Sequence, residues 1–233
     1  VENYEKYLLS INLLNEDLIK QIKTDFKSEI EKGLEDVFNQ EEITANTEEE
    51  INDVYATSNF IETLPETENK SNKRFIDAIS DGLKLAMRKH DNLILMGQDI
   101  AEYGGAFKVT QGFVEEFGKA RVRNTPLCES AIIGTAYGLS IKNFKSMVEM
   151  QFADFVSCGF NQIVNNLAKS HYRWGQNADV VVRMPTGAGV AAGPFHSQSN
   201  EAWFFHTPGL KVVYPSSPSD AKGLLLASFE DPN

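Results

Sequence analysis

The feature that most constrains the fold is the alternation of helix-like and strand-like segments after residue 73. Apolar residues recur at helical spacing over residues 75–87, and the short apolar run Asn92–Gly97 is typical of a strand buried on both faces. A second strand is predicted to end near Pro126, and further strands are predicted at 146–151, 180–184 and 210–214, with a long helix over 154–174. This alternation predicts an α/β fold with parallel strands joined by right-handed helical crossovers.

Polar or aromatic clusters follow three consecutive predicted strands. Glu129 opens a small-residue helix, Gln151 to Phe155 follow the next strand, and His196 lies in a long glycine-rich loop after the one beyond. Each has an ordinary explanation: a capping charge in a first helical turn, a core phenylalanine, or a surface histidine. Because ligands bind at the strand ends of open parallel sheets, the three clusters together predict a ligand site.

Five motifs in these segments resemble the beta chain of the thiamine diphosphate-dependent 2-oxo acid dehydrogenases, the family of the branched-chain 2-oxo acid and pyruvate dehydrogenases. They are Met96-Gly-Gln-Asp-Ile-Ala, Asn124-Thr-Pro-Leu-Cys-Glu129, Gln151-Phe-Ala-Asp-Phe155, His196-Ser-Gln-Ser and Thr207-Pro-Gly-Leu-Lys-Val-Val. The resemblance runs from about Lys73 to the end. It implies a thiamine diphosphate-binding fold, with a transketolase-like pyrimidine-binding domain at 73–233 that is incomplete at its C-terminus.

The resemblance also implies roles for particular residues. The carboxylate that matches Glu129 hydrogen-bonds the pyrimidine ring nitrogen of the cofactor and promotes the imino form of its amino group. The aromatic ring that matches Phe155 lies against the pyrimidine, with Leu127 and Gln151 helping to form this cofactor-binding loop. The residue that matches His196 lies near the substrate and assists acyl transfer to a lipoyl-lysine of the partner acyltransferase.

Other ligands of these enzymes are only partly represented. The Gly-Asp-Gly and Asn signature that binds Mg²⁺ and the diphosphate is absent, so the resemblance implies that an alpha-chain diphosphate-binding domain supplies those ligands. In branched-chain members a structural K⁺ is enclosed at positions that match Ala178, Val180, Val181, Asp231 and Asn233. Here Ser228 stands where those members have a cysteine.

The first 72 residues differ from the rest of the chain. Residues 1–40 are predicted to be helical, with Asn15 as a cap and an apolar stripe at every fourth position from Leu18 to Phe38. Residues 41–72 are acidic and poor in large apolar side chains, which predicts a linker or extended arm. The start of the chain resembles the C-terminal tail of the alpha chain of the same enzymes. We therefore expect a piece of a longer, fused alpha-beta polypeptide.

Charge and cysteine content limit the partners and the compartment. A net charge of -11 argues against a nucleic-acid partner or an anionic membrane surface, because both require clustered basic residues. The two cysteines show no metal-ligand spacing and are predicted to be small buried thiols of a reducing compartment. With no apolar leader or membrane-length apolar run, we expect a cytoplasmic protein.

The function that the resemblance implies is decarboxylation of a branched-chain 2-oxo acid, of the 2-oxoisovalerate type, or of pyruvate. The acyl group would pass to lipoamide, and the assembly would be a homo- or hetero-oligomer in which the fragment alone is inactive. One alternative is a transketolase-type thiamine enzyme, and another is a non-catalytic alpha/beta assembly module. The glycine loop at 187–193 leads to His-Ser-Gln rather than to an acidic strand end, which argues against a nicotinamide dinucleotide site.

Overall fold

A computed structural model describes residues 1–59, 61–64, 68 and 70–232. The chain divides into two compact units, residues 1–46 and 47–233. Helix α1 (Glu2–Ser10) and helix α2 (Glu16–Phe38) form the first unit. The predicted cap is confirmed, since Asn15 Oδ1 accepts a hydrogen bond from the Leu18 amide at 2.7 Å. Most of the α2 apolar stripe, including Phe26, Ile30 and Leu34, is exposed.

The second unit contains a four-stranded parallel sheet. Its regular elements are α3 (Thr47–Asn52), α4 (Phe75–Lys89), β1 (Leu93–Gly97), α5 (Phe113–Phe117), β2 (Val122–Asn124), α6 (Glu129–Ile141), β3 (Lys145–Glu149), α7 (Ser170–Trp174), β4 (Val180–Arg183) and α8 (Pro218–Glu230). The strand order is β2-β1-β3-β4, and all three pairings are parallel. The predicted α/β class and parallel sheet are therefore confirmed.

Helices cover both faces of this sheet. Leu95 and Met147 contribute to a core beneath α4 and α8, whereas Met96 and Val148 contribute to a second core beneath α6. Side chains that alternate along a strand point to opposite faces, so β1 and β3 supply both cores, and β1 is a continuous apolar run. The layers leave the carboxyl ends of the strands, at Gly97, Asn124, Glu149 and Arg183, along one edge.

Two predicted elements differ from the structure. The segment 210–214 forms no strand, and Val212, Val213 and Tyr214 are exposed. A β-branched run becomes a strand only where a neighbouring strand pairs with it, so local propensity does not suffice here. The predicted long helix is helical but irregular: a 3₁₀ segment (Ala153–Gly159) and a π segment (Gln162–Leu167) precede α7.

The predicted domain boundaries at residues 40 and 72 stay predictions, because a division into compact units does not locate the boundaries of functional domains. Short 3₁₀ turns at Ala188–Val190 and Glu201–Trp203 interrupt the chain between β4 and α8. In the part of the chain that the structure describes, no helix combines the length and apolar character needed to cross a bilayer.

Candidate active site

Glu129 lies at the start of α6, just past the carboxyl end of β2. Pro126 follows the strand closely, and Cys128 occupies the cap position without a side-chain capping bond. The Glu129 side chain is half-buried. An anion in a first helical turn is favoured by the free backbone amides and the helix dipole, so the helix itself supports a negative charge at this point.

Gln98 holds this carboxylate from the neighbouring strand. Its side chain is 7% exposed, and its Nε2 donates to Glu129 Oε1 at 3.1 Å. The pairing of β1 with β2 explains the contact, because Gln98 directly follows β1 and the parallel strands end side by side. The motif around Gln98 is visible in the sequence, but only the pairing of β1 with β2 shows that Gln98 lies beside Glu129.

An open cleft of about 630 Å³ runs along α6 from Glu129. Its lining residues are mostly small or neutral, with Glu129 as the charged member: Cys128, Glu129, Ser130, Ala131, Gly134, Thr135, Cys158 and Gln162. Both cysteines are free; Cys158 is exposed and Cys128 is half-buried, so the expectation of two buried thiols is wrong. A cleft with one carboxylate and no basic lining residue suits a neutral or cationic heterocycle better than a phosphate.

His196 lies in a separate cluster of aromatic rings. Its ring is edge-on to Phe152 at 4.8 Å and to Phe155 at 5.3 Å between centroids. Phe152 and Phe155 meet edge-to-face at 5.9 Å, and Phe107 contacts Phe152 at 5.7 Å. The structure therefore brings together Phe155 and His196, which the sequence places on different loops.

Hydrogen bonds fasten the His196 loop to the turn after β3. Asp154 Oδ1 accepts from Gln198 Nε2 at 2.8 Å, and the Asn200 side chain, 3% exposed, donates to the Ala153 carbonyl at 3.0 Å. Thr186 Oγ1 donates to the Gln198 carbonyl at 2.7 Å and closes the base of the loop. Because these hydrogen bonds hold both ends of the long loop, they restrict the positions that His196 can take.

For Leu127 and Gln151, the other two predicted cofactor-binding residues, the structure shows exposure but no contact with another described residue that indicates a role. Leu127 is 80% exposed, and Gln151 is half-buried at the end of β3. Among the described residues, no hydrogen bond, ion pair or ring contact joins Glu129 to the His196 cluster. The roles of Leu127 and Gln151 stay predictions.

A second glutamate, Glu149, ends β3 inside the protein. It is 2% exposed, and Arg183 Nη2 lies 2.5 Å from its Oε2, where β4 runs alongside. Its Oε1 is buried and has no hydrogen-bond partner among the described residues. A Cβ added at Gly105, where φ is +79°, would lie 3.2 Å from this oxygen, so the loop backbone covers it closely. Glu149 is a charged residue that sequence reasoning did not assign.

The predicted potassium ligands stay a prediction. Val180 and Val181 begin β4, and the Ala178 carbonyl already accepts the Val180 amide at 2.6 Å. Lys211 Nζ lies 2.7 Å from both carboxylate oxygens of Asp231, so a side-chain cation occupies this carboxylate. Asn233 lies outside the described residues. Within the described ranges, no three His, Cys, Asp or Glu side chains are grouped to hold a metal ion.

Comparisons with known proteins identify the family and the fold of the chain. The family described as "Transketolase, pyrimidine binding domain" matches residues 72–233. The 2-oxoisovalerate dehydrogenase subunit beta of Dictyostelium discoideum, a mitochondrial protein by name, is 45% identical over 172 residues, covering 71% of this chain and 46% of that protein. The subunit of the same name in Bacillus subtilis is 45% identical, covering 67% of this chain and 49% of its own length.

The chain is also similar to proteins that are named for other activities. The pyruvate dehydrogenase E1 component subunit beta of Rhizobium meliloti is 41% identical, covering 67% of this chain and 35% of that protein. Among solved structures, a split gene transketolase in an inactive beta4 tetramer matches with a TM-score of 0.54 at 17% identity, over 68% of this chain and 48% of that one. That likeness shows the fold alone. The chain spans about half the length of the curated relatives it matches.

Proposed function

The chain belongs to the family of transketolase pyrimidine-binding domains, and on that premise we propose that it holds the aminopyrimidine end of thiamine diphosphate in the decarboxylating component of a 2-oxo acid dehydrogenase complex. The recognition made from the sequence is confirmed at the level of the beta-chain family. Beyond the family, we propose an activity, a substrate and partners for the whole protein.

The observation that carries the proposal is the half-buried Glu129 carboxylate, held at its Oε1 by Gln98 at the mouth of a cleft. Among the described residues no hydrogen-bond donor reaches Oε2, which can meet a ring nitrogen, and a carboxylate within about 3 Å of that nitrogen would hold a proton there. When bound, thiamine diphosphate supplies the electron sink that decarboxylation of a 2-oxo acid requires. Glu129 is therefore proposed as the residue that controls the protonation of the cofactor ring.

The residues present fit the pyrimidine end of the cofactor. Small side chains along α6 leave room beside Glu129. The lining includes no positively charged side chain that could pair with a diphosphate. We assign the diphosphate and its Mg²⁺ to an alpha-chain domain, because the cleft is lined by no basic side chain and the Glu129 carboxylate already lies at the helix N-terminus. The flat face of Phe155 is proposed to lie against the pyrimidine ring, since an aromatic ring needs only an apolar plane to stack on.

His196 is proposed to assist transfer of the acyl group to the lipoyl-lysine of an acyltransferase partner. An imidazole can give or take a proton near neutral pH, and the contacts with Phe152 and Phe155 keep this ring beside the turn that follows β3. The substrate is proposed to be a branched-chain 2-oxo acid of the 2-oxoisovalerate type or pyruvate. The assembly is proposed to be an oligomer with alpha-chain domains in the cytoplasm, although some relatives are mitochondrial by name.

The proposal is tested with the full-length protein assembled with its diphosphate-binding domain. Thiamine diphosphate-dependent decarboxylation of pyruvate and of 2-oxoisovalerate is measured with an artificial electron acceptor. Glu129→Gln should lower kcat by about 100-fold or more, because a neutral amide cannot hold the proton. Glu115→Gln, which removes an exposed carboxylate of α5, is the matched control and should retain full activity.

Three outcomes separate the alternatives. Wild-type activity in Glu129→Gln would overturn the assignment of this residue. Cofactor-dependent activity with sugar phosphates in place of 2-oxo acids would favour a transketolase-type enzyme. No dependence on thiamine diphosphate with any substrate would favour a non-catalytic assembly module.

A further inference from the structure

We propose that Gln98 is a positioning residue that fixes the Glu129 carboxylate while leaving its negative charge intact. The inference deepens the proposed function and rests on it only where cofactor chemistry is concerned. Its basis is the hydrogen bond from Gln98 Nε2 to Glu129 Oε1, 3.1 Å long and made by a side chain that is 7% exposed.

Contacts on both sides of Gln98 restrict the backbone and therefore the direction in which its side chain points. Gly97 has no space for a side chain, since an added Cβ would lie 3.0 Å from the Glu149 carbonyl oxygen. Asp99 adopts a φ of 56°, a strained value for a residue with a side chain. The Ala101 amide donates to Asn124 Oδ1 at 2.8 Å, which ties the turn after β1 to the end of β2.

The chemical type of Gln98 matters as much as its position. An amide N–H orients the carboxylate without neutralising it, whereas an arginine or lysine would form an ion pair and compete with a ligand for the charge. The amide donates to Oε1, and in the part of the chain that the structure describes no other donor holds Oε2, which the ligand can therefore meet. A carboxylate that is both oriented and still anionic is what a pyrimidine ring nitrogen requires of its partner.

The first experiment needs no cofactor and follows thermal unfolding of the full-length protein at about pH 5 and about pH 8. Gln98→Glu places two carboxylates in contact, and two like charges cannot both ionise without repulsion. At the higher pH, the melting temperature of Gln98→Glu should therefore fall further below that of the wild type than the melting temperature of Gln98→Leu does. Exchanging the pair, Gln98→Glu with Glu129→Gln, restores one amide and one carboxylate and should remove that pH dependence.

The second experiment measures turnover in the assembled enzyme. Gln98→Leu should lower kcat by up to about 100-fold with an unchanged KM for the 2-oxo acid, because a misplaced catalytic group affects the reaction more than substrate binding. The exchanged double variant should regain stability and stay inactive, since its carboxylate then lies on the wrong residue. A merely structural role of Gln98 predicts instead that Gln98→Leu loses stability while its kcat stays at the wild-type value.

The two experiments fail independently. If Gln98→Glu shows no pH-dependent loss of stability, or the exchange does not remove it, the contact is not the one proposed and the inference is overturned. If stability behaves as expected but Gln98→Leu retains wild-type kcat, the positioning role is overturned. Absence of thiamine diphosphate dependence in the wild type would instead reject the proposed function, and with it the catalytic part of this inference.

Discussion

Glu129 and Glu149 both lie at the carboxyl edge of the same sheet, yet they are bound by different kinds of partner. Glu149 is 2% exposed and meets the Arg183 guanidinium at 2.5 Å, whereas Glu129 is half-buried and meets the neutral Gln98 amide at 3.1 Å. A cation neutralises a carboxylate and locks two strands together. A neutral donor orients the carboxylate and leaves its charge for a ligand.

The surroundings of the two glutamates support the same distinction. The backbone at Gly97 and Gly105 encloses Glu149, so closely that a Cβ at either glycine would come within 3.2 Å of it. Glu129 opens onto the cleft along α6. One carboxylate is part of the interior of the fold, and the other faces space that a ligand can fill.

The largest effect is expected at the buried pair. Arg183→Met leaves the Glu149 carboxylate buried without its cation, which should cost about 3 to 5 kcal/mol in the free energy of unfolding. The melting temperature should fall by roughly 10 °C. In the double variant with Glu149→Gln, most of the loss should be recovered, and Glu129→Gln alone should change the melting temperature little. A small loss in Arg183→Met would remove the contrast between the two glutamates.

The next effect concerns the step that follows decarboxylation. His196→Ala should reduce acyl transfer to a lipoyl domain on the order of 100-fold, because a positioned proton donor is lost. Turnover with an artificial electron acceptor should be nearly unchanged, since that assay bypasses the lipoyl group. Equal losses in both assays would show that His196 also acts before or during decarboxylation, and would widen the role assigned to it.

A smaller effect is expected at the aromatic residues beside His196. Phe155→Ala should weaken thiamine diphosphate binding by about 10-fold in calorimetric titration, the loss expected for one stacked ring. Phe152→Ala is the matched control: it packs on Phe107, Phe155 and His196 and should lower the melting temperature more and cofactor affinity less. If the two variants behave alike, Phe155 belongs to the core rather than to the cofactor site.

The smallest effect is expected at Glu230, an exposed carboxylate at the end of α8 that cations bind. Partial burial raises the pKa of Glu230, but hydrogen bonds from Lys89 and His90 outweigh burial and hold this pKa below its ordinary value of 4.5. A folded-state pKa below the unfolded one stabilises the fold above that ordinary value, and the gain is lost as pH falls through the folded pKa.

Glu230→Gln should therefore cost about 0.5 kcal/mol at neutral pH, because a half-exposed ion pair is screened by solvent. The melting temperature should fall by roughly 1 to 2 °C at neutral pH, and wild type and variant should converge as pH falls through the folded-state pKa of Glu230. A difference that persists or grows in acid would contradict the direction assigned to this group. It would also show that the bonds to Lys89 and His90 are not the source of the stability.

Local signals in the sequence predicted much of the fold. Asn15 caps its helix through a side-chain bond as predicted, and the apolar runs at β1, β3 and β4 form the expected parallel sheet. Such features depend on neighbours within a few residues, which a sequence displays directly. The run at 210–214 shows the limit of this reasoning, because a strand requires a partner that local composition cannot reveal.

The sequence by itself determined which residues could carry the chemistry: Glu129, Phe155 and His196 stand in motifs after successive strands. Only the tertiary structure decided what surrounds them. The order β2-β1-β3-β4 places Gln98 beside a carboxylate 31 residues away, and the same sheet pairs Glu149 with Arg183 across 34 residues. Contacts between strand ends depend on which strands are neighbours and in what register, and these are properties of the packed sheet rather than of any segment within it.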